Sequence, residues 1–329
     1  MPASRKPQPK ACEKVGLISD YPGNVMALRS LLLYLSRHQR LRRWMETSPA
    51  AAGLTARFIA GLKLEDALAV AERLGRECIL TSLDHLGESV TSLEEAEASR
   101  EAYVGILHRL AGRGLEATVS IKLTQFGLAL SEEACRANVG RLVSEAARLG
   151  KVVEIDMESS DCTERTLEIA LAMHQAHGNV RAAVQAYLYR SEGDIERLCG
   201  LGVPVRLCKG AYREPPAIAY QKKSAVDENY VRLMKALLER GRYPGLATHD
   251  ERIIDEAHRF TRERGIPPER YEFQMLYGIR RDLERRLARE GYRLRLYVPY
   301  GEAWYPYFMR RLAERPANVL FLLRNLVRG

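Results

Sequence analysis

The stretch RAAVQAYLYRSEGDIERLCGLGVPVRLC, residues 181–208, decides how the chain is to be read. It opens on a β-type run (181–187), passes through a short helical pattern (192–202) and closes on a second β-type run (203–208). Strands joined through a helix run parallel, with the helix as the crossover between them. Working outward, the same unit recurs. Upstream lie CILTSL (78–83), ATVSIKL (117–123) and VVEID (152–156); downstream lie GLATH (245–249), EFQML (272–276) and RLRLYV (293–298). Helical patterns separate them, among them SLEEAEASREAYVGILHRL, SEEACRANVGRLVSEAARLG and VDENYVRLMKALLERG, and the last strand is followed by PYFMRRLAERPANVLFLLRNLV. Eight strands alternating with eight helices make an α/β chain. That count favours a closed (β/α)8 TIM-type barrel over an open doubly wound sheet. The glycine fingerprint that commonly announces the open form is absent, as are a P-loop, HExxH and GxSxG.

The totals describe an ordinary globular protein: 329 residues, 46% hydrophobic and 28% charged. The net charge of +9 is spread among acidic residues along the chain, which argues against a nucleic-acid partner. Six cysteines at irregular spacings, without a CxxC pair, fit a reduced, cytoplasmic setting better than a disulfide framework. No apolar run reaches the length of a membrane span. Residues 1–23 read as a disordered lead. Residues 24–76 read as extra N-terminal helices packed on the barrel, including LRSLLLYLSRHQRLRRW, whose basic face fits either packing or a membrane surface. Residues 77–329 form the barrel itself.

A barrel of this kind builds its site at the C-terminal ends of its strands. The expected rim there carries Lys122, Asp156 with Glu158 behind it, Gln185, Arg206 with Lys209, Thr248 and His249, Gln274 and Leu276, and Tyr297. A charged residue at the end of a buried strand needs a partner or a task. Beyond the last strand, YVPYGEAWYPYFMRRLAER (297–315) turns at Pro-Gly-type chemistry into a helix bearing Tyr307, Arg310, Arg311 and Glu314 at helical spacing. Paired guanidiniums beside tyrosines suit the grip of a small carboxylate; a solvated basic helix with an internal Arg310–Glu314 pair is the other reading. Cations outnumber acids at this rim, which suits an anionic ligand. Gly210 would allow close backbone approach. His174 and His177, near a helix end, read as solvated residues, so no metal site is expected.

The segments SIKLTQFG, EIDMES, AVQAYLYR, VRLCKGAYRE, LATHD, EFQMLYG and YVPYGEAWYPYFMRRLAERPAN, in this order, resemble bacterial proline dehydrogenase, the FAD-dependent barrel also found in proline utilisation A. The resemblance runs from about Glu65 to the C-terminus. It implies a distorted (β/α)8 barrel with FAD at its rim, oxidising L-proline to 1-pyrroline-5-carboxylate by hydride transfer from proline C5 to flavin N5. Electrons would pass to a membrane quinone, and the product to a separate pyrroline-5-carboxylate dehydrogenase. By position, Lys122, Arg310 and Arg311 resemble the carboxylate grip, with Asp156 as its ion-pair partner and Glu314 beside it. Tyr212, Leu276, Tyr297 and Tyr307 resemble the walls around the substrate ring, and Arg206 the arginine near flavin N5. Met157, Gln185, Lys209, Gly210, Ala211, Thr248 and His249 fall where the family contacts FAD. Cys208 and Asp250 depart from the usual aliphatic residue and asparagine. The location implied is cytoplasmic, with peripheral contact at the inner face of the membrane. Two rivals are a methylenetetrahydrofolate-reductase-like flavin barrel and a non-enzymatic basic protein that binds polyanions or membrane. The first fits the double-arginine grip poorly; the second predicts a colourless protein.

Overall fold

The computed structural model describes residues 42, 43, 45, 55–87 and 90–314, with the side chains of 312–314 left aside. The expected lead (1–23) and nearly all of the expected helix at 24–44 lie outside these residues. Chain order begins with α1 (Leu64–Arg76) and β1 (Leu80–His85), followed by α2 (Leu93–Gly112), β2 (Ala117–Ile121), a 3-10 turn (Leu123–Phe126) and α3 (Glu132–Arg148). Then come β3 (Val153–Ile155), α4 (Ser160–His177), β4 (Val180–Gln185), α5 (Ser191–Gly200), β5 (Val205–Cys208) and α6 (Lys223–Arg240). The circuit ends with β6 (Gly245–Ala247), α7 (Glu251–Glu263), a 3-10 turn (Pro268–Arg270), β7 (Glu272–Leu276), α8 (Arg281–Arg289), β8 (Leu294–Tyr300) and α9 (Trp304–Glu314).

All eight strands pair in parallel, each with its neighbour in sequence, and β1 closes the ring on β8 over six residue pairs from Leu80↔Arg295 to His85↔Tyr300. The expected barrel is therefore present and closed. The strand expected at 78–83 sits two residues later, because Cys78 takes a left-handed turn conformation (φ 58°) on leaving α1. Helix starts follow local chemistry: Ser92 and Ser131 each accept the backbone N–H three residues on, satisfying a donor that the helix cannot. The outward faces of the strands meet the helices in a continuous apolar layer that includes Val119, Val153, Leu207, Phe273 and Leu296. His174, expected to be solvated, is buried, and one of its ring nitrogens bonds the Val180 carbonyl at 2.9 Å. The chain folds back at the start of β4 and covers His174, while His177, three residues on, is exposed as expected.

The barrel interior is not apolar. Glu154, Arg181, Arg206, Glu272, Gln274 and Arg295 are all buried within it. Arg181 meets Glu272 at 2.5 Å, Arg295 grips both Glu272 oxygens at 2.8 and 3.0 Å, and Arg206 pairs with Glu154. Burial alone would raise the Glu154 and Glu272 carboxyls, but the surrounding arginines outweigh it and hold both below the usual range.

A second apolar cluster supports α9. Phe58, Ile59, Leu86, Ile279, Trp304, Tyr305 and Phe308 pack together, so residues 55–60 brace this helix from outside the barrel. The Arg57 carbonyl lies where a Cβ on Gly278 (φ 78°) would sit, 1.7 Å away, so only glycine admits the brace there.

On α8, Glu284 is buried, and its Oε1 has no hydrogen-bond partner among the described residues. Burial pushes its carboxyl up to about 7. A raised carboxyl contributes stability that is present below the unfolded value of 4.5 and is lost as pH rises through about 7. Glu284→Gln is therefore expected to leave stability at pH 5 nearly unchanged and to add about 2 kcal/mol at pH 8, read by urea melts at the two values. Equal effects at both would contradict this.

Candidate active site

A cavity of about 820 Å³ opens at the C-terminal ends of the strands. Its size and its mixture of apolar wall and converging polar groups suit an organic ligand. Every residue expected to touch substrate or cofactor whose side chain is described lines it. They are Lys122, Asp156, Met157, Gln185, Arg206, Lys209, Gly210, Ala211, Tyr212, Thr248, His249, Leu276, Tyr297, Tyr307, Arg310 and Arg311. The Glu314 side chain lies outside the described residues. Glu158, which the sequence places at the rim, does not line the cavity. It is buried and spent on Thr124, accepting the backbone N–H at 3.0 Å and the hydroxyl at 2.5 Å, so it ties the loop after β3 to the 3-10 turn after β2.

Lys122, Arg310 and Arg311 are among the cations that line the cavity. Lys122 follows β2 and Arg310 and Arg311 come from α9, brought together only because β8 closes the ring beside β1. The Arg311 guanidinium lies 5.2 Å from the ring centre of Tyr307, one helical turn earlier. Lys122 Nζ donates to Asp84 at 3.2 Å and to the Tyr297 hydroxyl at 3.3 Å, and lies 3.7 Å from Asp156. The nearer acid is thus Asp84, at the end of β1, which the sequence reading did not single out. Tyr297 donates to Asp156 at 2.8 Å. Burial, with Asp156 and Asp84 alongside, holds the Tyr297 phenol well above its ordinary value, so it remains a neutral donor. Arg206, on β5, donates one terminal nitrogen to Asp156 and the other to Glu154 and, at 2.7 Å, to Ser120. Burial would lower Arg206, yet Glu154 and Asp156 outweigh it and keep the guanidinium charged.

Further lining comes from the ends of β4, β5 and β6. Gln185 donates to the Glu158 carbonyl at 2.9 Å and accepts the Ala211 N–H at 3.0 Å, which staples two loops together. Gly210 has φ 125°, and a Cβ there would meet the Tyr187 ring at 2.4 Å, so the loop after β5 lies flat against β4 only with glycine. Lys209 is fixed between Asp227 (2.5 Å) and Asp250 (3.1 Å). Asp250 also caps α7 through the Arg252 N–H at 3.2 Å; burial would raise its carboxyl, but Arg252 and Lys209 hold it down at about 2. His249 Nε2 accepts the Leu276 N–H at 2.9 Å, which leaves the ring proton on Nδ1. Burial pushes the Cys208 thiol up to about 12, so that departure adds no nucleophile.

These residues fit a bound flavin dinucleotide. Lys209, Arg206, Thr248 and His249 all line the cavity, and polar groups of these types suit phosphate and carbonyl oxygens. The set does not suit a metal: among the described residues there is no group of three His, Cys, Asp or Glu placed to hold one.

Residues 67–324 match the family model described as proline dehydrogenase. The chain is 39% identical over 301 residues to proline dehydrogenase 1 of Bacillus subtilis strain 168, covering 92% of this chain and 99% of that protein. It is 40% identical over 281 residues to proline dehydrogenase of Deinococcus radiodurans, covering 84% of this chain and 91% of that protein. Proline utilization A from Bdellovibrio bacteriovorus shares the fold, with a TM-score of 0.78 at 24% identity over 89% of this chain and 37% of that one. The family match, the full-length relatives and the closed barrel with its rim cavity agree, and the chain belongs to the proline dehydrogenase family of enzymes.

Proposed function

We propose that the chain oxidises L-proline to 1-pyrroline-5-carboxylate with FAD as cofactor, the electrons passing on to a membrane quinone. The observation that carries this reading is that Lys122, Arg310 and Arg311 line the same cavity as Arg206, Lys209, Thr248 and His249. When bound, FAD supplies the hydride acceptor at N5.

The side chains do the rest. Lys122, Arg310 and Arg311 bind the substrate carboxylate; forked guanidinium contacts fix its direction as well as its place. Tyr212, Leu276, Tyr297 and Tyr307 enclose the ring and exclude water, so that C5 is presented in one orientation. Asp156 and Asp84 hold Lys122 between them and keep it from being an uncompensated buried charge. Arg206 places positive charge where negative charge accumulates during the reaction. Met157, Gln185, Lys209, Gly210, Ala211, Thr248 and His249 hold the cofactor.

No helix among the described residues is long and apolar enough to cross a membrane. On this reading the quinone is met at the membrane surface, in a cytoplasmic setting, and pyrroline-5-carboxylate leaves for a separate dehydrogenase. The test supplies the purified holoprotein with L-proline and a soluble quinone. Quinone reduction matched one for one by a cyclic imine product is expected; proline consumed without that product would overturn the assignment.

A further inference from the structure

The cavity floor rests on the charged interior of the barrel, and one acid there has a position that no role above absorbs. Arg206 is held by two carboxylates at different depths. Asp156 lines the cavity and is shared with Tyr297 and Lys122, so its charge is redistributed by whatever enters. Glu154 stands two residues earlier on the same face of β3, one layer deeper. It does not line the cavity and is 1% exposed. Its Oε1 accepts the Thr118 hydroxyl at 2.6 Å, and its Oε2 accepts from Arg206 and, at 3.4 Å, from Gln274. A carboxylate pinned through both oxygens and shut away from solvent cannot follow a ligand. With the buried Ser120 hydroxyl, 2.7 Å from the same nitrogen, it makes the fixed end of the Arg206 guanidinium, whose buried Nε has no partner among the described residues.

We propose that Glu154 is a positioning residue that sets the direction of Arg206 and damps the positive charge Arg206 projects into the cavity, an inference that rests on the FAD-dependent reading above. The charges show why damping follows. Arg181, Arg206 and Arg295 face Glu154, Glu272 and Asp156, while Lys122 pairs with Asp84, so the interior is balanced. Without the Glu154 charge, one cation is left in surplus directly beneath the cavity. A surplus there favours the reduced, more negative state of a bound flavin. An acceptor that must give its electrons onward is served by a lower affinity for them, and the buried glutamate supplies it.

The test compares the holoprotein with its Glu154→Gln form, each poised against one redox dye at the wild-type midpoint. The ratio of reduced to oxidised flavin is expected to rise about tenfold in E154Q, equivalent to about 30 mV for a two-electron couple. E154D, which keeps the charge, is expected to stay at the wild-type ratio. A merely structural glutamate would lower the melting temperature and leave the ratio where it was; that result, or a fall in the ratio, overturns the proposal. If E154Q does not fold, the pair Glu154→Gln with Arg181→Gln removes one acid and one base together. That pair leaves the interior charges balanced, so the ratio should stay within about twofold of wild type, and a tenfold rise there refutes the charge argument. A holoprotein bleached by proline but insensitive to E154Q sinks this inference alone. A protein that never holds flavin sinks the proposed reaction with it.

Discussion

Replacing Arg311 with methionine is expected to raise the Michaelis constant for proline by roughly 10²-fold while the protein keeps its flavin. Methionine retains most of the length and the apolar contact of the arginine with Tyr307, so α9 has little reason to shift. What is lost is a forked, charge-assisted contact to the substrate carboxylate, together with compensation of that charge in a partly closed cavity. Arg311 belongs to α9, whereas the proposed cofactor contacts come from β4, β5, β6 and the loop after β3. Flavin content, read from the visible spectrum of the purified variant, should therefore match wild type. A variant that binds proline as tightly as the parent would remove Arg311 from the grip.

The second large effect is expected at the base of the barrel and concerns stability. Arg295 donates to both oxygens of Glu272 and, at 2.9 Å, to the Thr81 carbonyl, all of them buried. Arg295→Leu leaves Glu272 facing Arg181 with one cation gone. Breaking one side of a buried pair costs about 3–5 kcal/mol, because the partner keeps its desolvation cost without its compensation. The melting temperature should fall by about 10 °C. Replacing Glu272 with leucine in the same chain removes the stranded charge and should recover part of that loss. The order of the three melting temperatures checks the argument, and a single variant as stable as the parent would show that the interior pairs are not structurally costly to break.

The barrel was legible because its period is long and regular: each β-type run is bounded by a helix pattern, and all eight were found within a few residues of their observed places. The rim was legible for a related reason. Polar residues at the ends of apolar strands break the pattern visibly, and Lys122, Asp156, Gln185, Arg206 and Tyr297 all converge on the cavity. Asp84 was hidden by a register error. With β1 placed two residues early, this acid falls in the loop, whereas in the molecule it ends the strand beside Lys122. The charged interior was written in the quoted runs VVEID, EFQML and RLRLYV. Its meaning was not, because an ion pair between β3 and β5, or between β4 and β7, depends on ring closure, which local pattern does not report. His174 failed for a local reason: its partner at Val180 is set by the turn after the helix, which the helical pattern alone does not report.

The central claim is that the cations at the mouth of this barrel present a small imino acid to a flavin. Anaerobic titration of the purified protein with L-proline tests it most directly. A yellow protein whose visible flavin band bleaches in proportion to proline added, and recovers on admitting a quinone, is the predicted result. A protein that carries flavin in this cavity yet keeps its colour at saturating proline would contradict it.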